Sequence, residues 1–320
     1  MKNIIFDTDI GVDCDDACAL ALLLNYAKEN KCIVDTITTS TTRVGAVSTV
    51  RAIADYYDHQ NYVVGKMSLP AIEADSMNSY AKAVYDCFLK SDEPDDDAVS
   101  IIRAKLARSN DNEITLICVG PLSNIGRLLK SKPDKYSPLN GQELVDKKVK
   151  EAYLMAGIFK EQTGFENIIS GAHSPYEWNV CQDIENAIIT VESLKCPIYF
   201  LPGEVGLQVE CGLSTKNDKS SPVWKSVVSY GKSIGVVDKN LKDEDVIYQR
   251  FSWDPLTVMY AIEGNNKYLE VSKCGKATIN KDGSSSFVYD DSSNHYVIRL
   301  KHDANVKEEL SDYLNKHIKR

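Results

Sequence analysis

No apolar run in this 320-residue chain approaches the roughly 20 residues needed to cross a bilayer as a helix. The opening MKNIIF enters a strand pattern almost at once, with no charged leader followed by an apolar segment. Both absences point to a cytoplasmic protein with no membrane partner. An excess of positive charge is also missing. Lys and Arg number 37 against 46 Asp and Glu, a net charge of -9, which argues against nucleic acid or an anionic membrane surface as the main partner. There is no C-x-x-C pair. The nine cysteines (Cys14, Cys18, Cys32, Cys87, Cys118, Cys181, Cys196, Cys211 and Cys274) are odd in number, scattered and mostly set in apolar runs. That usage suits reduced, buried thiols better than a disulfide framework or a zinc site. Internal repeats, low-complexity linkers and composition breaks are lacking too, so residues 1–320 read as one domain.

What is present is ordinary globular composition, 43% hydrophobic and 26% charged, patterned as alternating strands and helices. Strands are expected at 2–6, 32–39, 62–64, 114–119, 151–155 and 198–201. Helices are expected at 14–26, 44–57, 76–90, 96–107, from the GPLSN turn to about 129, and at 183–193. The acidic run EPDDD reads as the start of the 96–107 helix. The last third departs from this alternation. It has a long helical pattern over 243–262 interrupted at Pro255, short alternating runs near 276–279, 286–289 and 296–300, and a final helix over 306–319. The fold class is therefore α/β, a mainly parallel, Rossmann-like sheet with helices on both faces and a small antiparallel addition near the C-terminus.

The most telling local feature is IIFDTDIGVDCDDACALALLL, where Asp7, Asp9, Asp13, Asp15 and Asp16 fall within ten residues. They occupy the turn between the end of a strand and the start of a helix, the place where open α/β sheets bind ligands. Like charges this close repel, and a fold tolerates them when a cation sits among them. Helix capping accounts for one or two of these acids, not five, so a site for a hard cation is the stronger reading.

Three later segments put polar residues at expected strand ends. Val119-Gly120-Pro121-Leu122-Ser123-Asn124 ends a strand and leaves free carbonyls at its tip, though an ordinary β–α turn would look the same. Glu177-Trp178-Asn179 sets a carboxylate and an amide two residues apart beside an aromatic, a combination that can grip sugar hydroxyls or simply cap a helix. Phe251-Ser252-Trp253-Asp254-Pro255 places an acid just before a proline, which is also a common cap.

Taken together, DTDIGVDCDDACAL, GPLSNI, EWNVCQDIENA and WDPLTVMYA resemble, in order and spacing, four segments of the inosine–uridine preferring nucleoside hydrolase family. The resemblance covers about residues 3–262. It implies hydrolysis of the N-glycosidic bond of ribonucleosides to free base and ribose by a metal-activated water. It implies a Ca2+ ion held by Asp9, Asp16, Asp254 and the Val119 carbonyl, with Asp7 supporting them from behind. Asp9 would be the general base, and Asp15, Glu177 and Asn179 would hold the ribose. It also implies a homo-oligomer, a dimer or tetramer. The sugar and base side departs from the family. Trp253 stands where many members carry a His that protonates the leaving base. The usual Gly-Asn after the second strand is replaced by Thr38-Thr39-Ser40. A His- and Gly-rich segment is replaced by KMSLPAIEADSMN, and the asparagine usual upstream of Glu177 is replaced within GAHSPYEW. His173, Tyr248, Gln249 and Trp253 are the candidates to face the base. Two other readings compete: a magnesium-dependent phosphohydrolase of the haloacid-dehalogenase type, suggested by DTD, and a degenerate member that binds a ribosyl ligand without turnover.

Overall fold

The computed structural model describes residues 1–68, 79–164, 176–216, 218–303 and 305–320. Its strands are β1 (Lys2–Thr8), β2 (Cys32–Thr39), β3 (Val63–Lys66), β4 (Asp96–Asp97), β5 (Ile114–Cys118), β6 (Val149–Met155), β7 (Ile198–Leu201), β8 (Glu210–Cys211), β9 (Arg250–Phe251), β10 (Leu269–Val271), β11 (Gly275–Ile279), β12 (Ser285–Tyr289) and β13 (His295–Leu300). Eleven of them form one sheet in the order β12-β11-β13-β7-β6-β5-β1-β2-β3-β4, with β10 paired to β13. From β13 through to β4 all neighbours are parallel, while β10, β11 and β12 add antiparallel pairings at the far end. β8 and β9 make a separate two-stranded ribbon.

Strand alternation explains why the sheet is covered on both faces. In β1, Ile4 and Phe6 enter one core and Ile5 the other. The first core packs against helices Asp15–Lys28, Ala46–Tyr56, Trp253–Glu263 and Val306–Ile318. The second packs against Ala98–Arg108, Ser123–Lys130, Gly141–Lys148 and Ile184–Ser193. Chain order runs outward from β1 in one direction through β2, β3 and β4, and in the other through β5, β6 and β7. The reversal between β1 and β5 opens a crevice at their carboxyl ends, the usual ligand position in such sheets. Asp7 lies there, in register with Cys118 of β5 on one side and Thr38 of β2 on the other.

Most expected elements are present, several with the same bounds. The 243–262 helix is not. Only Trp253–Glu263 is helical, preceded by the 3-10 turn Asp243–Asp245 and β9. The reason is Pro255, which falls in the first turn of the real helix, where a missing N–H costs nothing. The acidic run EPDDD serves caps as expected only in part. Asp97 accepts from Val99 and Ser100 N–H at the start of Ala98–Arg108, but Asp95 accepts from Val64 N–H (2.7 Å), and Asp92, just before the run, accepts from Gly45 N–H (2.8 Å). All nine cysteines are free. Five are buried and Cys87 is exposed. Among the described residues no helix is long and apolar enough to cross a membrane.

One buried cation anchors the second face. Arg103, 2% exposed, donates to both Asp134 oxygens (2.7 and 3.1 Å), to Ser131 Oγ and to the Ser137 and Leu139 carbonyls. Arg103→Ala strands these acceptors, and the expected cost is about 3 kcal/mol in a urea unfolding curve.

Candidate active site

Two helices aim their first turns at the β1–β5 crevice. Asp15 and Asp16 open the helix Asp15–Lys28, and Asp254 sits in the first turn of Trp253–Glu263, which packs along it. Neither helix carries a side-chain cap. The three carboxylates face each other instead, with ligand oxygens all within 4.8 Å of one another. The Asp254 N–H donates to Asp15 Oδ2 (3.1 Å), and Thr8 Oγ1 at the tip of β1 donates to Asp16 Oδ1. All three acids are buried.

Burial is the largest force on their titration, and mutual repulsion adds to it. The Asp15 carboxyl is raised to about 8, by burial first and then by the charge of Asp13. Asp16 rises well above the usual carboxylate range, by burial and by the charge of Asp15. Asp254 rises likewise, by burial and then the charges of Asp15, Asp16 and Asp9. Three dry carboxylates in one place are unfavourable without a counter-charge, and their hard oxygens suit a divalent cation that prefers oxygen ligands. The residues present therefore fit a metal ion of that type.

Asp7 lies behind this group. Its Oδ1 accepts from Thr38 Oγ1 (2.5 Å) and Asn124 Nδ2 (2.8 Å), while Oδ2 is buried without a partner. Burial raises its carboxyl to about 7, against the pull of those two donors. Asp9 follows the end of β1 and is also buried, but it is not one of the three acids within 4.8 Å. The backbone of Gly120 presses directly on it. A Cβ at Gly120 would lie 2.8 Å from Asp9 Oδ1, 2.7 Å from its N and 2.5 Å from Ser40 Oγ, so only glycine lets the β5 turn come this close.

The remaining candidates divide into those near the crevice and those turned away. Asn179 Nδ2 donates to the Val119 carbonyl (2.9 Å) and the Met155 carbonyl (3.1 Å), joining the tips of β5 and β6. The Val119 oxygen thus already takes one bond and keeps a second lone pair. Glu177 caps the helix Trp178–Gln182 through Asn179 and Val180 N–H (2.7 and 3.0 Å) and also accepts from Gly157 N–H (3.2 Å). Burial raises it to about 7, those three N–H groups lower it, and the nearby Glu204 raises it. Trp253 donates its indole N–H to the Gly203 carbonyl (2.8 Å) and packs on Gly206, where a Cβ would lie 2.1 Å from its ring. Tyr248 packs against Gly231. The Gln249 amide oxygen accepts from Asn315 on the C-terminal helix (3.0 Å). His173 lies outside the described residues.

The structure adds partners that spacing does not suggest. Asp13 is bound to Arg250 through Nε (2.9 and 3.0 Å) and Nη2 (2.5 Å), and accepts from Tyr230 Oη (3.0 Å), so it ties the N-terminal turn to β9. Thr38 and Asn124 hold Asp7. They come from the ends of two segments far apart in the chain, and only the sheet register brings them to one carboxylate.

A profile described as inosine-uridine preferring nucleoside hydrolase matches residues 4–308, nearly the whole chain. The chain belongs to this family. Its reaction class is hydrolysis of the N-glycosidic bond of ribonucleosides, and the phosphohydrolase reading of DTD is not favoured. Solved structures agree in fold. A purine-preferring ribonucleoside hydrolase from Gardnerella vaginalis aligns with TM-score 0.70 at 18% identity, covering 99% of this chain and 98% of its own. A plant nucleoside hydrolase aligns at 0.68 and 18% identity, covering 99% and 98%. An inosine-uridine preferring nucleoside hydrolase from Bacillus anthracis aligns at 0.67 and 18% identity, covering 100% and 99%. No curated protein matches the chain by sequence.

The raised carboxyls fix a direction for stability against pH. Asp7, Asp15 and Glu177 hold their protons more tightly in the folded chain than in the unfolded one, where carboxyls titrate near 4. Through these groups the metal-free protein binds more protons folded than unfolded, so their contribution to stability is lost as pH climbs from about 4 through about 8. Thermal melts in chelator should give a higher midpoint at pH 5 than at pH 8. Added divalent cation should raise the midpoint more at pH 8, where these acids are charged.

Proposed function

We propose that this chain is a Ca2+-dependent N-ribohydrolase, one domain acting on ribonucleosides in the cytoplasm as a homodimer or homotetramer. The observation that carries the reading is the convergence of Asp15, Asp16 and Asp254 in one buried group at the β1–β5 crevice. Asp16, Asp254, Asp9 and the Val119 carbonyl would hold the ion. Carboxylate and carbonyl oxygens without a thiolate or imidazole favour Ca2+ over a softer metal. When bound, the ion supplies an acidified water positioned for attack on the anomeric carbon.

The side chains divide the remaining work. Asp9, buried at the strand tip and electrostatically felt by Asp254, takes the proton of the attacking water. Asp15 accepts the 2′- and 3′-hydroxyls of the ribose. Glu177 and Asn179 hold the sugar from the far side, and Asp7 fixes the strand tip from behind. N-glycoside cleavage passes through an oxocarbenium-like state, and the surrounding carboxylates stabilise the positive charge growing on the ring. The departing base is the weak point. The one N–H of Trp253 is donated to Gly203, and an indole is no ordinary acid, so position 253 offers the departing base no proton.

Asp9→Asn removes the general base. It should lower kcat about 10²–10⁴-fold while leaving the thermal midpoint nearly unchanged, as read by release of free ribose from a panel of purine and pyrimidine ribonucleosides. Undiminished turnover would sink the assignment. Chelation should abolish activity and Ca2+ should restore it. Ribosides whose leaving groups have lower pKa should be cut markedly faster, because position 253 donates no proton. A rate indifferent to leaving-group pKa would place an acid elsewhere.

A further inference from the structure

The ion pair of Asp13 and Arg250 has no part in the chemistry above, yet it lies beside the carboxylate group. Asp13 stands two residues before Asp15, and Arg250 four before Asp254, whose N–H donates to Asp15 Oδ2 (3.1 Å). Both partners are anchored. Arg250 donates through Nε (2.9 and 3.0 Å) and Nη2 (2.5 Å) to the Asp13 carboxylate. Its guanidinium lies 4.9 Å from the centre of the Trp253 ring and 5.2 Å from that of Tyr230. Asp13 Oδ1 also accepts from the N–H of Cys14 (2.6 Å), the residue that leads into the helix Asp15–Lys28, and Oδ2 accepts from Tyr230 Oη (3.0 Å). Each partner therefore touches the residue just before an acid of the group: Cys14 before Asp15, and Trp253 before Asp254.

The charges define what this pair resists. Asp15, Asp16 and Asp254 repel one another, and their repulsion pushes the start of Asp15–Lys28 away from the start of Trp253–Glu263. A guanidinium holding both oxygens of a carboxylate is directional, and with side chains 19% and 24% exposed it is little screened by solvent. It opposes the separation and adds no net charge to the crevice, because the two partners cancel.

A cation binds most tightly where its oxygens already stand in place. Resting on the ribohydrolase reading above, we infer that the Asp13–Arg250 pair is a positioning tie that holds Asp15 and Asp16 against Asp254, and thereby sets how tightly the crevice grips its divalent cation. The pair also exerts a field. The charge of Asp13 reaches Asp15, Asp16 and Asp254, and that of Arg250 reaches Asp15. Position and field make different forecasts, and a charge-neutral double variant separates them.

The test is calorimetric titration of Ca2+ into wild type and Asp13→Asn/Arg250→Met, which loses one charge of each sign. Position predicts binding weakened about tenfold or more. Field alone predicts unchanged affinity, and that result overturns the inference. Hydrogen exchange in chelator gives a readout without metal. The Asp254 N–H lies in the first turn of its helix, where the helix offers no acceptor, and Asp15 takes its bond instead. In the double variant this amide should exchange about tenfold faster or more relative to the amide of Ile117 in β5. Equal acceleration of both amides means a general loss of stability, and it too overturns the inference. If the double variant does not fold, Asp13→Asn/Arg250→Gln takes its place. If the wild type itself binds no Ca2+, the metal-dependent reading fails by itself, and the exchange ratio alone decides the tie.

Discussion

The structure is organised around a repulsion. Asp15, Asp16 and Asp254 are held within 4.8 Å in a dry crevice, with Asp7 close behind in the same strand-end region. Nothing in the local backbone favours this. The two helices could have capped themselves with the same acids, and neither does so. The fold brings the carboxylates together by packing Asp15–Lys28 along Trp253–Glu263 over the carboxyl ends of β1 and β5. It then steadies them with neutral donors: Thr8 on Asp16, Thr38 and Asn124 on Asp7, and the Asp254 N–H on Asp15. Such donors fix where each oxygen points without cancelling its charge. A guanidinium would have cancelled it, and nearby Arg250 is engaged with Asp13.

That arrangement separates two jobs within one short segment. Five aspartates in ten residues look alike in sequence, and the fold sorts them by depth and partner. Asp13, partly exposed and paired with Arg250, is a fastener. Asp15 and Asp16 join Asp254 in the buried group of carboxylates, and Asp7 lies behind them, held by Thr38 and Asn124.

Much of the fold is legible in the sequence because its signals are local. β2 and β7 have the bounds their apolar runs suggest, and DTDIGVDCDDACAL marks a strand–turn–helix without outside help. Two helices give weaker signals and are not expected from the pattern. Gly141–Lys148 is short and polar, although Asn140 and Glu143 make a capping box, and Pro222–Ser233 has Ser221 as its cap. Pro255 misleads because a proline inside a helical pattern and one in a helical first turn look the same without the boundary. At the site, acid identity is readable and partnership is not. That Thr38 bonds Asp7 and that Asn179 bridges Val119 and Met155 depend on how strands and loops far apart in the chain come together, whereas the capping of its own helix by Glu177 is local.

The bond from the Asp254 N–H to Asp15 joins residues 239 positions apart. Its consequence concerns the order of assembly. As the chain is synthesised, the helix bearing Asp15 and Asp16 can fold early from local contacts, but the loop that returns Asp254 closes only after most of the protein exists, and such distant closures are slow. For that interval the first helix carries its charges with an incomplete set of neighbours. The binding centre therefore forms only once residues far apart in the chain have found their places.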